Sequence, residues 1–129
     1  MTVTSAGAPS RRGAGVVQRG EVVRVPFPYT NQVGSKTRPA CVISIPAYNA
    51  GPDFVVAMIT SSTRFLQQPG LGDVVLSDWR AAGLRQPSVV RAGRLLVVER
   101  QLLVRSLGRL APSDLTAVDQ ALETVLGLT

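Results

Sequence analysis

A single arginine stands where a polar loop meets an apolar run. The stretch VGSKTRPACVIS, residues 33–44, passes through Arg38 and Pro39 into apolar residues. Because proline has a fixed φ and biases the preceding residue towards an extended backbone, Arg38 begins the predicted strand in a defined geometry. Its guanidinium is always charged and offers a planar fork of donors, which suits phosphate oxygens but not proton transfer. Arg38 therefore has two candidate roles, stabilising negative charge on a ligand or forming a structural salt bridge to Asp53, Asp73 or Asp78.

A second polar cluster follows a predicted strand. In AMITSSTRF, four hydroxyl residues and one cation come directly after the apolar run, at Thr60, Ser61, Ser62, Thr63 and Arg64. Such a cluster suits phosphate contacts, although it also forms ordinary turns. The sequence contains no Walker pattern, no dinucleotide-binding fingerprint and no Ser/His/Asp set.

Charge and residue usage narrow the chemistry further. The 129 residues include 14 Lys and Arg against 8 Asp and Glu, a net charge of +6, and no histidine. The positive excess lies outside the last segment, residues 112–127, which contains acidic residues and no basic ones. A basic protein attracts phosphate backbones, although many soluble proteins are basic for solubility alone. Without histidine and with one cysteine, a zinc site is not expected, and we predict no metal or other cofactor.

The single cysteine and the hydropathy pattern indicate a cytoplasmic protein. Cys41 lies inside an apolar run, cannot form an internal disulfide and is expected to be buried. No apolar run approaches the ~20 residues that a membrane span needs. Arg11 and Arg12 are not followed by the apolar region of a secretory signal.

The candidate residues must be positioned by a small β domain. We predict a disordered leader at residues 1–18 and one domain at residues 19–129. Short β-rich runs alternate with turn signals from Gly20 onward, namely EVVRV, ACVISI, FVVAMIT, DVVLSDW, SVVR and RLLVVE. Six strands indicate a small barrel or sandwich. Residues 102–110 fit either a helical turn followed by a short strand or one irregular strand.

Only the C-terminal segment has a helical pattern. Its apolar residues recur at steps of three and four, at Leu115, Val118, Leu122, Val125 and Leu126. Pro112 suits the first helical turn, and Asp114 complements the helix dipole. We expect the apolar face to pack on the sheet and the opposite face, with Asp119 and Glu123, to be solvated.

Taken together, these stretches resemble a known family. RGEVVRVPFPYT, GSKTRPACVIS, VVAMITSS, GDVVLSDWRAAGL, PSVVRAGRLLVVER and LGRLAPSDLTAVDQAL follow one another in the order typical of the MazF/PemK toxin ribonucleases. The resemblance covers residues 19–127. It implies a mainly β fold with a C-terminal α-helix, an SH3-like β-barrel of the MazF/CcdB type, and a homodimer.

The resemblance also implies an activity. Such enzymes cleave single-stranded RNA without a metal, by attack of a 2′-OH on the neighbouring phosphorus, and leave 2′,3′-cyclic phosphate and 5′-OH ends. By matching position, Arg38 would stabilise the transition-state phosphate, and Thr60 would bind that phosphate or orient the attacking hydroxyl. Further RNA contacts would come from Gly34, Ser35, Lys36, Ser61, Ser62, Arg64 and Arg91. A small, acidic, partly disordered antitoxin would cover the basic surface around Arg64, Arg91 and Arg94.

The sequence departs from the family pattern at two places and leaves alternatives open. Many relatives have a longer loop, with Glu and Gln after the Gly-Ser, whereas this chain passes through Lys36 and Thr37 directly to Arg38. Gly93 stands where some relatives have Asp. No proton acceptor is identified, and Glu21 is one carboxylate that could serve. A non-catalytic RNA-binding barrel is therefore one alternative. The other is a CcdB-like toxin that binds a protein through its C-terminal residues, often with a Trp there, which this helix lacks.

Overall fold

The computed structural model describes residues 15–26 and 36–128. Its elements in chain order are β1 (Glu21–Pro26), β2 (Thr37–Val42), α1 (Pro46–Asn49), β3 (Asp53–Thr60), α2 (Thr63–Gln67), β4 (Asp73–Val75), β5 (Val89–Glu99), a 3₁₀ turn (Arg100–Leu102), β6 (Arg105–Arg109) and α3 (Pro112–Leu126). The predicted fold class, mainly β with a C-terminal helix, is confirmed. Within these residues no helix has the length and apolar character needed to cross a membrane.

The six strands form one antiparallel sheet in the order β4-β5-β3-β2-β1-β6. The loop between β4 and β5 lies against the far edge strand, β6. A Cβ atom added to Gly83 would stand 2.0 Å from the Leu107 carbonyl oxygen, and one added to Gly108 would stand 2.7 Å from the Ala82 carbonyl carbon. These two glycines let the loop backbone touch β6. The loop thus links the two edges and gives the sheet its barrel-like shape.

The prediction of two separate strands, SVVR and RLLVVE, is wrong, because residues 89–91 of the first and all of the second lie in the single strand β5. Met58 of β3 pairs with Arg91, but the next residue along, Ala57, pairs with Leu95. Residues 92–94 are therefore extra on β5, and they bulge without ending it. The run DVVLSDW forms a strand only at Asp73–Val75. Residues 102–110 follow the first alternative, a helical turn and then a short strand.

Apolar residues are buried on both faces of the sheet. One face packs against α3 and the β4–β5 loop through a cluster that includes Val22, Cys41, Ile59, Val90 and Val118. The curled opposite face encloses a second cluster that includes Val23, Val42, Phe54, Val56 and Val98. Successive residues of a strand point to opposite faces, which explains why Val22 and Val23 belong to different clusters. Strands β1, β2 and β3 are consequently rigid supports for the side chains at their ends.

Helix α3 packs largely as predicted, with two exceptions: Leu126 of the predicted apolar face is 51% exposed, and Asp119 of the polar face has a partner. Val118 and Leu122 are buried, and Gly127 ends the helix in the left-handed conformation at φ 68°. Glu123 is exposed as expected. Asp119, however, is not simply solvated, because its carboxylate forms an ion pair with Arg19. Arg19 also donates from Nε to the Ile43 carbonyl oxygen at 2.8 Å, so this pair fastens α3 to the end of β2.

Contact with the fold extends at least two residues ahead of the predicted domain boundary. Val17 is buried in the core, and its carbonyl oxygen accepts a hydrogen bond from Asn49 Nδ2 at 2.9 Å. Most of the predicted leader, residues 1–14, lies outside the described residues.

Candidate active site

A hollow of about 640 Å³ opens beside the start of β2 and the end of β3. Its apolar lining comes from Pro39, Ile59, Leu84 and Leu107. Its polar lining combines arginines with hydroxyl and amide groups, namely Arg24, Arg38, Arg85, Arg105, Thr37, Thr60, Ser61, Ser62, Gln86 and Ser88. We call this feature the basic hollow.

The structure brings Arg38 and Thr60 together on the rim of the basic hollow. Arg38 is the second residue of β2 and is exposed, and Thr60 is the last residue of β3. β2 pairs with β1 from Thr37 but with β3 only from Ala40. Pro39, which has no N–H, therefore lies where β2 needs no hydrogen bond from β3. This local arrangement leaves the side of β2 next to Thr60 open.

The hydroxyl of Thr60 is oriented by the chain that follows it. The backbone N–H of Ser62 donates to Thr60 Oγ1 at 3.1 Å. A hydroxyl that accepts this bond keeps its own proton for donation to a ligand. Ser61 and Ser62 also line the basic hollow and are exposed. The predicted polar cluster thus contributes three adjacent residues to the rim.

Three lining arginines were not among the predicted site residues. They are Arg24 on β1, Arg85 in the β4–β5 loop and Arg105 on β6. Two of the three belong to residues 85–109, where six arginines accompany a single acidic residue, Glu99. This high density of arginines was the feature of the sequence that could have indicated Arg85 and Arg105. It did not identify which arginines face the hollow, because this depends on strand pairing and on where the loop lies.

The lining contains no acidic residue. All eight Asp and Glu side chains of the sequence belong to the described residues, and none of them lines the basic hollow. Glu21, the candidate proton acceptor, is buried elsewhere: it accepts hydrogen bonds from Ser106 Oγ at 2.7 Å and from the Gln18 N–H at 3.0 Å. Four arginines without carboxylates make a strongly positive site, suited to negative charge on a ligand.

The remaining predicted site residues lie away from the hollow or outside the described residues. Lys36 is exposed immediately before β2, and Arg64 is exposed on α2 with its guanidinium 5.2 Å from the centre of the Phe65 ring. Neither lines the basic hollow. Gly34 and Ser35 fall outside the described part of the chain.

Arg91 has a structural partner. Its Nε donates to Asp73 Oδ1 at 2.9 Å, and its guanidinium lies 3.9 Å from the centre of the Phe65 ring. The salt bridge that the sequence offered as one possible role for Arg38 is formed to Asp73 by Arg91 instead. Arg91 does not line the hollow.

Metal and thiol chemistry find little support in this part of the molecule. In residues 15–26 and 36–128, no three His, Cys, Asp or Glu side chains are grouped so that they could hold a metal ion. Cys41 is buried, and burial raises the pKa of its thiol to about 12. The thiol therefore stays protonated and unreactive in the folded protein.

The fold and the basic hollow define a small β protein with a positively charged hollow at its strand ends. Residues 18–126 match the family described as PemK-like, MazF-like toxins of type II toxin–antitoxin systems, and the chain belongs to this family. The resemblance found in the sequence is thereby confirmed. Comparison with curated protein sequences finds no match.

Solved structures of similar fold cover most of the chain. One is an endoribonuclease in complex with its cognate antitoxin from a mycobacterial species, with 25% identity, a TM-score of 0.69 and coverage of 88% of this chain and 97% of that chain. Another is the MazE–MazF complex of Deinococcus radiodurans, with 26% identity, a TM-score of 0.69 and coverage of 88% and 99%. The Mycobacterium tuberculosis toxin MazF-mt6, at 21% identity, TM-score 0.68 and coverage of 84% and 98%, shares the fold.

Proposed function

We propose that the protein is a toxin that cleaves single-stranded RNA, including mRNA, as part of a toxin–antitoxin pair. The observation that carries the proposal is that Arg38 and Thr60 line one basic hollow. Membership of the toxin family supports it. So do the names of two similar structures, which are called endoribonucleases.

The proposed reaction is an internal transfer within the RNA. The 2′-OH of one nucleotide attacks the phosphorus that follows it, and the bond to the 5′ oxygen of the next nucleotide breaks. The leaving oxygen takes a proton from solvent, so the products have 2′,3′-cyclic phosphate and 5′-OH ends. Arg38 stabilises the charge that develops on the phosphate oxygens, and Thr60 donates a hydrogen bond from its hydroxyl to the phosphate or orients the attacking group. Ser61 and Ser62 bind the same region of the RNA strand.

No metal takes part in this mechanism, and Arg38 supplies the charge stabilisation at the phosphate that is cut. A well-placed donor of this kind contributes roughly 3 to 4 kcal/mol to the lowering of the barrier. Since no carboxylate lines the hollow and the sequence has no histidine, the proton of the 2′-OH passes to solvent. We therefore expect slow turnover that depends on orientation and charge.

The other residues predicted to contact RNA are assigned their roles on different grounds. Lys36 and Arg64 are exposed near the two strand ends that carry Arg38 and Thr60, where they can attract the RNA backbone. For Gly34 and Ser35 the proposal depends on the family resemblance. Arg91 is already held by Asp73 and Phe65, so we assign it the role of positioning α2 rather than contacting RNA.

The proposal includes partners. Two similar structures are toxins solved with their antitoxins. By the same logic, this protein is a cytoplasmic homodimer silenced by a small acidic antitoxin with a flexible segment. Such a segment would suit the positive charge of the protein, which carries a net charge of +6.

A cleavage assay in chelator tests the proposal. The purified protein is incubated with a long, weakly structured RNA in EDTA, and cut sites and end groups are mapped. We expect chelator-resistant cuts with cyclic phosphate and 5′-OH ends, and loss of roughly 100-fold or more in rate for Arg38→Ala. Arg80→Ala is the matched control, because Arg80 stacks on Trp79 and does not line the hollow. Metal-dependent cuts, or full activity of Arg38→Ala, would contradict the proposal.

One alternative has an observation in its favour. The absence of any carboxylate from the lining fits an RNA-binding protein without turnover. Such a protein would bind RNA through Arg38 and leave it intact in the same assay. The two functions are thus separated by whether bound RNA is cut.

A further inference from the structure

Two arginines of the basic hollow face each other across neighbouring strands. Arg24 of β1 is paired with Arg105 of β6 in the antiparallel register. Side chains directly opposite in such a ladder start only about 5 Å apart, and like charges in this position destabilise the sheet. Both residues line the hollow, where no carboxylate is present to neutralise them. The ion pairs recorded in the described part of the chain, Arg19–Asp119 and Arg91–Asp73, involve neither arginine.

The guanidinium of Arg24 is held in place by a neighbouring strand. Its Nε donates to Thr37 Oγ1 at 3.2 Å. This bond uses the inner donor of the fork and leaves the two terminal nitrogens for a ligand. Arg24 is half-buried and Arg105 is exposed, so one of the two is preorganised and the other can close on a bound anion.

The Arg24–Arg105 pair approaches the hollow from a different side than Arg38 does. Arg24 is paired with Pro39, the residue that follows Arg38 in β2. Because successive side chains of a strand alternate between faces, Arg38 and Arg24 belong to opposite faces of the sheet next to the hollow. The hollow, at about 640 Å³, has the size of pockets that enclose a ligand larger than one phosphate group. There is room for two neighbouring phosphates, held by different arginines.

We propose that Arg24 and Arg105 together bind one phosphate of the RNA strand, adjacent to the phosphate that Arg38 contacts. This subsite rests on the proposed function for its ligand. A shared phosphate removes the repulsion between the two arginines, and their donors fit its oxygens. The pair would thus set how the strand continues beyond the cleavage point.

A binding experiment tests the subsite without any cleavage. Binding of an all-deoxy oligothymidylate, which has no 2′-OH, is measured by fluorescence anisotropy over a range of salt concentrations. For single strands, the slope of log K, where K is the association constant, against log[salt] becomes steeper by about 0.7 for each phosphate contacted. We expect Arg24→Gln and Arg105→Gln each to reduce this slope and the double variant to reduce it by about 0.7 in all. Arg80→Gln removes the same charge outside the hollow and should leave the slope at its wild-type value.

Two outcomes of that experiment, and one outcome of a parallel titration of the same variants with a glutamate-rich peptide, would overturn the proposal. An unchanged slope in the double variant means that the pair contacts no phosphate. A reduction of about 1.4 means that each arginine holds its own phosphate. Loss of binding to a glutamate-rich peptide, with oligothymidylate binding unchanged, assigns the pair to an acidic protein segment instead.

A cleavage experiment locates the subsite relative to the reaction. A dinucleoside monophosphate has only the phosphate to be cut, so the double variant should lose far less of its kcat/KM on this substrate than on a longer RNA. A longer RNA also occupies the subsite, and there kcat/KM should fall about tenfold or more, as expected for one lost charge-assisted contact. Equal kcat/KM of wild type and variant on the longer RNA would overturn the subsite. The wild-type protein could cut neither substrate while the double variant still showed the smaller slope of log K against log[salt]. The proposed nuclease activity would then be wrong, and the subsite would stand.

Thermal unfolding controls for a general loss of structure. Inorganic phosphate should raise the melting temperature of the wild-type protein and raise that of the double variant less. Without phosphate, the double variant should melt no lower than the wild type, because the repulsion between two like charges that face each other has been removed. A lower melting temperature with no difference in the phosphate effect would show that the pair is structural and would overturn the proposal.

Discussion

Arg91 donates from Nε to Asp73 Oδ1 at 2.9 Å, and the Asp73 side chain is only 2% exposed. The other carboxylate oxygen of Asp73 accepts from the Gly70 N–H at 2.8 Å. The guanidinium of Arg91 also lies against the ring of Phe65 on α2. One arginine therefore joins α2, β4 and β5, and α2 follows directly after the residues that form the Thr60 rim.

Replacing Arg91 with alanine should destabilise the protein and disturb the rim. The change leaves a buried carboxylate without its counter-ion and removes a cation–π contact. We expect a loss of about 3 kcal/mol in the free energy of unfolding, measured by urea denaturation. Cleavage by the surviving folded protein should fall through kcat rather than KM, since Arg91 is not proposed to touch RNA.

Arg94→Ala is the control for this prediction. Arg94 is exposed on the same strand, so its loss should change the unfolding free energy by no more than about 0.5 kcal/mol. Equal stability of the two variants would show that the Arg91–Asp73 pair contributes nothing to the fold.

Asp114 fastens the start of α3 to the loop that forms one wall of the basic hollow. Its carboxylate accepts hydrogen bonds from the Ser77 N–H at 2.9 Å, the Ser77 hydroxyl at 2.8 Å and the Asp78 N–H at 3.0 Å. Asp114→Ala should lower the free energy of unfolding by about 2 to 4 kcal/mol, because three donors of the loop lose a buried, charged acceptor. Chemical denaturation measures the loss.

The same substitution should reduce RNA cleavage, because the loop that it frees carries Leu84 and Arg85 into the hollow. Glu123→Ala is the matched control, an exposed acid on the same helix, and should behave like the wild type in both assays. Full stability of Asp114→Ala would mean that water replaces the carboxylate without cost.

The sequence predicted the parts of the site that local pattern determines. Arg38 and Thr60, which both line the hollow, were chosen as candidates because each stands where an apolar run meets polar residues, and strand ends can be read from such boundaries. Arg24 and Arg105 were missed because their meeting depends on the register between β1 and β6, which are far apart in the sequence. The continuity of β5 was missed for a related reason: a bulge and a turn give the same local signal.

The partner of Asp119 also depended on long-range structure. A carboxylate on the outer face of an amphipathic helix is usually solvated, and the helical pattern gives no reason to expect otherwise. Arg19 reaches it only because residues ahead of β1 lie beside α3. The hydrogen bond to Asp119 raises the pKa of Arg19, whose guanidinium is charged at every working pH in any case.

The thiol of Cys41 should report on the integrity of the core. Burial raises its pKa to about 12 in the folded protein, from 9.0 when exposed. At pH 8 we expect no reaction with a disulfide reagent such as DTNB until denaturant unfolds the chain. Fast labelling of the native protein would show that the sheet opens locally around Cys41.

Cys41 also predicts a loss of stability in alkaline solution. Between about pH 9 and 12 the unfolded thiol loses its proton while the folded thiol keeps it. The folded state then binds more protons, so stability falls as pH rises, by up to about 1.4 kcal/mol per pH unit. Cys41→Ala should show a shallower decline over this range, measured by denaturation at several pH values. Parallel declines would contradict the prediction.

The contact between the β4–β5 loop and β6 depends on two glycines. Gly83 has φ 77°, and an added Cβ would stand 2.0 Å from the Leu107 carbonyl oxygen. Gly83→Ala should therefore push the loop away from β6, which widens the basic hollow and separates Leu84 and Leu107. We expect a loss of at least about 2 kcal/mol in the free energy of unfolding, together with weaker RNA binding, measured by denaturation and by anisotropy.

Gly93→Ala provides the contrast within the same sheet. Gly93 lies in the bulge of β5, and a Cβ added there meets no atom within 4 Å. Its backbone is not among the left-handed glycines. The substitution should leave stability unchanged or raise it by up to about 1 kcal/mol, because alanine has less freedom to lose on folding. If both glycine variants were equally stable, the loop would be able to leave β6 without cost, and the edges of the sheet would not be held together by this contact.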